Sequence, residues 1–95
     1  DSKFLENKLV KQQSKLAEIV SQMKIFKSQN TNMSRSQKSE LDQIIKYAET
    51  MQQSGKEVGS EVENIKVRFA GLKAVVNETG QAGKSFLDTI KNKAW

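Results

Sequence analysis

Several acidic side chains of this chain lie close enough together in the sequence to suggest chemistry. They are Glu40, Asp42, Glu57, Glu61 and Glu63. Paired carboxylates can act as a general acid and a general base, and a cluster of carboxylates can bind a hard cation such as Ca²⁺. On a helix, acids at these spacings usually lie in solvent or pair with lysine. We therefore expect neither a catalytic residue nor a metal ligand among them.

Histidine and cysteine are both absent from the sequence. Their absence excludes a zinc finger, a thiolate metal site, a disulfide scaffold and a Ser-His-Asp triad within this chain. The spacing of the remaining polar residues indicates no activated nucleophile or base. The sequence therefore predicts a protein that is not an enzyme and that uses no cofactor.

One glycine-containing segment ends in Gly83, Lys84 and Ser85, as a phosphate-binding loop does. Such a loop needs a second glycine five residues before Gly83, and Glu78 stands there instead. A phosphate-binding loop also follows a buried strand, and no strand pattern precedes this segment. We expect a joint between helices at this place rather than a phosphate site.

The chain is basic, with 16 Lys and Arg residues against 11 Asp and Glu residues and a net charge of +5. Lys8, Lys11 and Lys15 follow one side of the first predicted helix. Such a helix could bind an acidic membrane surface or nucleic acid. Proteins that bind nucleic acid usually carry denser basic residues, more arginine, and aromatic side chains that stack on bases. Binding to membrane or nucleic acid is therefore kept as an alternative function.

The composition is typical of a small helical domain. The chain has 95 residues, of which 36% are hydrophobic, and it contains no proline. Because proline is the strongest helix breaker, its absence permits helices along the whole chain. We treat residues 1–95 as a single helical domain. No run of 18 apolar residues occurs, so we expect a soluble chain without a transmembrane segment, and the compartment stays open.

The first predicted helix covers residues 3–29, in which apolar side chains recur at seven-residue intervals along two neighbouring rows. The segment 28–38 is rich in Asn and Ser. These residues compete with the helical backbone for hydrogen bonds, so the segment is predicted to connect two helices. Ser36 or Ser39 is expected to cap the helix that follows.

A second, much longer helix is predicted over residues 39–93, because apolar residues recur there at alternating intervals of three and four. Two glycine-containing segments, 54–60 and 79–84, are candidate interruptions. A loop would normally shift the heptad count, and the count continues through both segments, so one continuous helix is favoured. We call the row of residues at these alternating intervals the heptad seam. It consists of Leu41, Ile44, Ala48, Met51, Gly55, Val58, Val62, Ile65, Phe69, Leu72, Val76, Thr79, Gly83, Phe86, Ile90 and Lys93.

The lengths of the two predicted helices leave part of the heptad seam uncovered. A helix from about residue 37 to 93 would be about 85 Å long, whereas the first helix would reach only about 40 Å. Apolar side chains beyond that reach would favour association with another molecule. The predicted partner-binding residues are Val62, Ile65, Phe69, Leu72, Val76, Phe86 and Ile90. The charged residues expected to set register and orientation on the flanks of the seam are Glu61, Lys66, Arg68 and Lys73.

The expected fold is all-α, either an antiparallel helical hairpin or a three-helix bundle with coiled-coil packing. The expected function is that of a non-enzymatic interaction or assembly module, such as a scaffold, a filament or a component of a secreted assembly. It would bind itself or a partner helix through the heptad seam, as a homo-oligomer or within a larger assembly. A self-contained helical spacer within a larger protein is a further alternative, and it would remain monomeric.

Overall fold

A computed structural model of the protein describes residues 2–91, with side chains from residue 3 onward. Within this range the chain forms helices and no strand, which confirms the prediction of an all-α fold. Four helices are present instead of the two or three expected. They are α1 (Ser2–Gln29), α2 (Arg35–Ser54), α3 (Ser60–Val75) and α4 (Ala82–Lys91).

The connection between α1 and α2 is shorter than the segment 28–38 that the sequence predicts, since α1 continues to Gln29 and α2 begins at Arg35. Ser34 caps α2. Its hydroxyl accepts a hydrogen bond from the Gln37 backbone N–H, and the Gln37 side chain accepts one from the Ser34 N–H. This reciprocal capping box satisfies two backbone donors at the helix start. The expectation that Ser36 or Ser39 would cap this helix is therefore wrong.

The continuous helix favoured over residues 39–93 does not form in the described range, because the chain leaves the helical path twice. Gly55 ends α2 in the left-handed conformation at φ 65°, which glycine adopts without steric cost. Gly80 has φ 87° in the second connection. Of the seam residues in the two connections, Val58 and Val76 are partly buried and pack against the core, whereas Gly55 and Thr79 are exposed.

Each helix contacts the next one along the chain, and α4 returns to contact α1. The ion pairs Lys24–Glu49 and Lys27–Asp42 join α1 to α2 and show that the two run in opposite directions. At about 42 Å, α1 is the longest helix and offers one apolar face to both neighbours. Helices α2 and α4 pack on α1, and α3 closes the remaining side by contacting α2 and α4.

Three aromatic rings meet at the centre of the core. The ring of Phe69 on α3 lies 5.1 Å from that of Phe26 on α1, edge to face, and 4.2 Å from that of Phe86 on α4. All three side chains are fully buried, and such aromatic pairs add stabilisation beyond the area they bury. The apolar residues buried around them are Leu16, Ile19, Val20, Met23, Met33, Leu41, Ile44, Ile45, Ala48, Val62, Ile65, Leu72, Ala82 and Ile90.

Replacing Phe69 with Ala is expected to lower the free energy of unfolding by about 3–5 kcal/mol, because it leaves a cavity between two aromatic rings. Val67→Ala on the same helix is the matched control, since Val67 is 61% exposed and its truncation should change stability by less than about 0.5 kcal/mol. Chemical denaturation followed by circular dichroism measures both values. Equal effects for the two substitutions would contradict this description of the core.

Candidate interaction surfaces

The residues predicted to bind a partner lie almost entirely inside this chain. Six of them are buried and Val76 is partly buried. The expectation that they form a bare surface is therefore wrong for the described structure. The physical reason is that the two connections fold α3 and α4 back onto α1 and α2, so the chain covers its own seam. The six buried residues are Val62, Ile65, Phe69, Leu72, Phe86 and Ile90.

Glu61, expected on the charged flank of the seam, instead closes the start of α3. Its carboxylate accepts a hydrogen bond from the Gly59 backbone N–H at 2.9 Å. This bond, together with one from the backbone N–H of Glu61 itself, holds the pKa of Glu61 below its ordinary value of 4.5. Because folding lowers this pKa, the charged carboxylate stabilises the fold above pH 4.5, and that contribution is lost as the pH falls through the lowered value.

The three cations predicted on the flank of the seam are all paired within the chain. Lys66 Nζ lies 4.0 Å from Glu63 Oε1 on the same helix, and Lys73 Nζ lies 2.9 Å from Glu78 Oε2 in the α3–α4 connection.

Arg68 links two helices, since its Nη2 lies 2.9 Å and its Nε 3.0 Å from Glu40 Oε1 on α2. Exposed pairs of this kind contribute little to stability. Their consequence for binding is larger, because they neutralise the charges beside the outer surface of α3.

Three of the six lysines of α1 form ion pairs with acids elsewhere in the chain. Lys8 pairs with Glu57 in the α2–α3 connection. Lys24 Nζ lies 3.1 Å from Glu49 Oε2, and Lys27 Nζ lies 2.7 Å from Asp42 Oδ1, both on α2. These contacts reduce the positive charge that α1 presents to a polyanion. They weaken the hypothesis of an electrostatic binder of membrane or nucleic acid.

Asn30, buried just beyond the end of α1, holds the α3–α4 connection in place. Its amide nitrogen donates to the Phe26 carbonyl at 2.8 Å and to the Thr79 carbonyl at 3.2 Å. Its amide oxygen accepts from the Thr79 backbone N–H at 2.7 Å. The sequence shows Asn30 only as one polar residue of a polar connection. Its tertiary role depends on a contact 49 residues away, which no local pattern reveals.

Gln12, in the first half of α1, plays a similar part. Its side chain is 1% exposed, and its Oε1 accepts a hydrogen bond at 3.3 Å from the backbone N–H of Val58 in the α2–α3 connection. Gln12 occupies a core position that would otherwise hold an apolar residue. A buried polar group at such a position usually fixes register at some cost in stability. Gln12 and Asn30 thus each anchor one of the later connections to α1.

The outer surface of α3 carries apolar residues that the core does not use. Val67 is 61% exposed and Val75 is 67% exposed. Gly71 and Ala74, which lie between them, are also exposed. We call these four residues the α3 outward face. Their spacing of three and four residues places them on one side of the helix, roughly opposite the buried side.

The α3 outward face was missed in reading the sequence because the stronger seam pattern ran through the same segment. The available signal was a helix apolar on both sides, which is unusual for a surface helix of a small protein. Three further exposed apolar residues belong to the first third of α1. They are Phe4, Leu5 and Val10, and they point to different sides of that helix rather than to one face.

No group of three or more acidic residues within residues 2–91 is placed so that it could hold a metal ion. None of the four described helices combines the length and the apolar content needed to cross a bilayer. No protein family, curated protein or solved structure matches this chain. The proposals below therefore depend on its residues and their contacts.

Replacing Asn30 with Ala is expected to lower the free energy of unfolding by about 1.5–3 kcal/mol, because three hydrogen bonds are lost and part of the Thr79 backbone is left without its partner. Asn30→Asp keeps the acceptor and loses both donors, so its free energy of unfolding should lie between that of Asn30→Ala and that of the natural chain. Asn32→Ala is the control, since Asn32 is exposed in the same connection. Denaturation midpoints compare the three variants with the natural chain. An unchanged midpoint for Asn30→Ala would contradict the anchoring role of Asn30.

Two glycines on packed helices should respond differently to alanine. At Gly71 an added Cβ meets nothing within 4 Å, so Gly71→Ala should stabilise the chain by about 0.5–1 kcal/mol. At Gly83 the Cβ would lie 2.4 Å from Glu78 Oε1 and 2.8 Å from Lys73 Cε. Displacing that ion pair should cancel the gain. Thermal melts of the two variants measure the difference, and an equal gain at Gly83 would contradict the packing described there.

Proposed function

We propose that this chain is a non-enzymatic helical interaction module that binds a protein helix through the α3 outward face. The observation that carries the proposal is the pair of largely exposed valines, Val67 and Val75, on a helix whose opposite side already fills the core. In this proposal the four helices form an antiparallel bundle with coiled-coil-like packing of the seam. The bundle serves as a rigid support, and α3 presents the docking surface.

The apolar character of the α3 outward face supports docking rather than catalysis. Burying an exposed valine on association is favourable by about 1.5 kcal/mol or more. Gly71 and Ala74 put little side-chain bulk between the two valines, so a ridge of side chains from another helix could pack there. The α3 outward face contains no charged residue, so no charge on it would lose its hydration when a partner helix covers it.

The ion pairs beside α3 favour an apolar mode of binding over an electrostatic one. Arg68 is held by Glu40 and Lys73 by Glu78, so neither cation is available to a polyanion without breaking an existing contact. Binding through this face should therefore change little with added salt. Binding to nucleic acid or to an acidic membrane would weaken steeply under the same conditions.

A self-contained helical spacer is the second candidate function. It is favoured by one specific observation, the burial within this chain of six seam residues that were expected to need a partner. A spacer would leave Val67 and Val75 in water as isolated surface valines, which soluble proteins tolerate. The two candidates therefore differ in whether the α3 outward face becomes covered under any condition.

Because the chain has no native cysteine, one introduced cysteine can carry a photo-crosslinking label at a single defined position. We expect a benzophenone label at Val67→Cys to form protein adducts in an extract of the cells that produce the chain, whereas a label at Ser21→Cys on the outer side of α1 should not. The same adducts should be lost when Val75→Lys is added eight residues away, since one partner helix would span both positions.

Circular dichroism must show that the labelled variants remain folded. Adducts at position 67 that persist in the Val75→Lys background would mean nonspecific labelling, and they would contradict the proposal. Equal labelling at positions 67 and 21 would do the same. A complete absence of adducts at position 67, both in extract and at high concentration of the purified chain, would favour the spacer.

A further inference from the structure

The heptad seam keeps its count through the connection between α2 and α3, and the closed bundle does not require this. The seam leaves α2 at Met51 and resumes in α3 at Val62, and Gly55 and Val58 stand between them at the expected intervals. A turn lets each helix rotate until its apolar side faces the core, whatever the number of residues in the turn. A continuous count is required only when both helices lie on one axis, because only then must their seams form a single stripe.

The segment 55–59 between the two helices can itself become helical. It contains no proline, so each of its residues has a backbone N–H that can bond four residues back along a straightened chain. Gly55 and Gly59 oppose the helix, because glycine loses more backbone freedom than other residues. They keep the turn dominant at low concentration without excluding the straight form.

We infer that this connection is a hinge through which two copies of the chain exchange their α3–α4 halves. In the exchanged dimer, residues 35–75 of each copy form one helix of about 60 Å. Two such helices lie antiparallel, so that α2 of one copy packs on α3 of the other through the contacts that the single chain makes internally. This inference is independent of the α3 outward face, which the exchange leaves on the outside.

The contacts between α2 and α3 place the two-fold axis of this dimer at the hinge. Arg68 Nη2 lies 2.9 Å from Glu40 Oε1, and Gln37 Nε2 lies 3.4 Å from the Val75 carbonyl oxygen. The midpoints of these two pairs in the sequence are residues 54 and 56. In the exchanged dimer the same pairs join different copies, so the two long helices cross at Gly55. A glycine in the seam at that point leaves room for both backbones.

The α2–α3 connection is joined to α1 by weaker contacts than the α3–α4 connection. The Val58 N–H donates to Gln12 Oε1 at 3.3 Å, and Lys8 forms an exposed ion pair with Glu57. Both are interactions of modest strength. The second connection is bound by the buried amide of Asn30 through two hydrogen bonds. Those bonds re-form between copies in the dimer, because α3 and α4 move together.

The exchanged interface is large enough for a stable dimer. It contains the buried rings of Phe69 and Phe86 from each copy, and an aromatic side chain buries about 150–250 Å². With the aliphatic seam residues of α3 and α4, the total passes the roughly 1,200 Å² at which stable interfaces begin. Because the same contacts must first break within each chain, monomer and dimer interconvert only as slowly as the chain unfolds.

Refolding from denaturant at about 10 μM and about 1 mM, followed by size-exclusion chromatography with light scattering, tests this inference. Gly55→Ala places a Cβ at φ 65° and adds helix propensity, so it disfavours the turn and favours the straight form. We expect the dissociation constant of the dimer to fall about a hundredfold, about tenfold for each of its two hinges. Gly71→Ala is the matched control, because it adds the same methyl group inside α3 and should leave the proportion of dimer unchanged.

Insertions after Lys56 in the Gly55→Ala background test the phase itself. Two added alanines lengthen a turn, which the closed monomer tolerates, but they rotate the α3 seam by about 200° in a straight helix. This variant should be folded and monomeric. Seven added helix-forming residues restore the phase, and they should restore the dimer.

Because the chain has no native cysteine, cross-linking can show directly which copy supplies α3. Chains carrying Glu40→Cys and chains carrying Arg68→Cys are mixed, unfolded and refolded together at about 1 mM. A short bifunctional thiol reagent should then join the two kinds of chain, since exchange brings position 40 of one copy beside position 68 of the other. Glu40→Cys mixed with Ser21→Cys is the control, and it should give no cross-linked product.

Three outcomes would overturn the inference. One is a Gly55→Ala chain that is folded and monomeric at about 1 mM. Another is a dimer that lacks the cross-link between positions 40 and 68 or that persists with two added alanines, because the copies would then meet on another surface. If Gly55→Ala does not fold, the same cross-linking on chains with the natural hinge decides, and absence of product there is the third. The photo-crosslinking at position 67 is unaffected by these results.

Discussion

Burial of one face of α1 is the interaction on which the other elements depend. This helix is the longest of the four described helices, and both α2 and α4 pack on it. Helix α3 contacts it through the ring of Phe69, which lies against the ring of Phe26 on α1. Gln12 in α1 and Asn30 just after its end anchor the two later connections through hydrogen bonds. A chain with so little apolar material can form a defined core because each of its shorter helices is placed by contacts that lead back to α1.

The charged residues support this arrangement mainly by removing unpaired charge from particular surfaces. Acids on α2 and in the connections pair with lysines of α1 and with the cations of α3. Each pair adds little to stability, because exposed pairs are screened by water and salt. Beside α3 they neutralise Lys66, Arg68 and Lys73, so the flanks of that helix carry little unpaired positive charge. The exposed valines of α3, Val67 and Val75, are among several apolar residues at the described surface.

The helical class and the buried positions of the seam could be predicted from the sequence, because a seam residue has to face inward whatever covers it. The identity of the covering element could not, since heptad periodicity does not distinguish a second molecule from a returning segment of the same chain. Residues such as Val58 and Val76 hide the interruptions by staying in phase through both connections. The Ser34–Gln37 capping box was readable as Ser-x-x-Gln. The bond between Asn30 and Thr79 was not, because only folding brings the two residues together.

The inner side of α3 packs in the core, whereas its outer side faces solvent. Ile65, Phe69 and Leu72 face the core, whereas Val67 and Gly71 lie about 165° and 125° away from the centre of that side, at 100° per residue. Substitutions on the outer side therefore change what α3 can bind without opening a cavity inside. Gly71 on that side weakens the helix relative to alanine, a cost that a sufficiently stable fold tolerates. The gain in stability expected from Gly71→Ala therefore measures how far this fold lies below its own stability optimum.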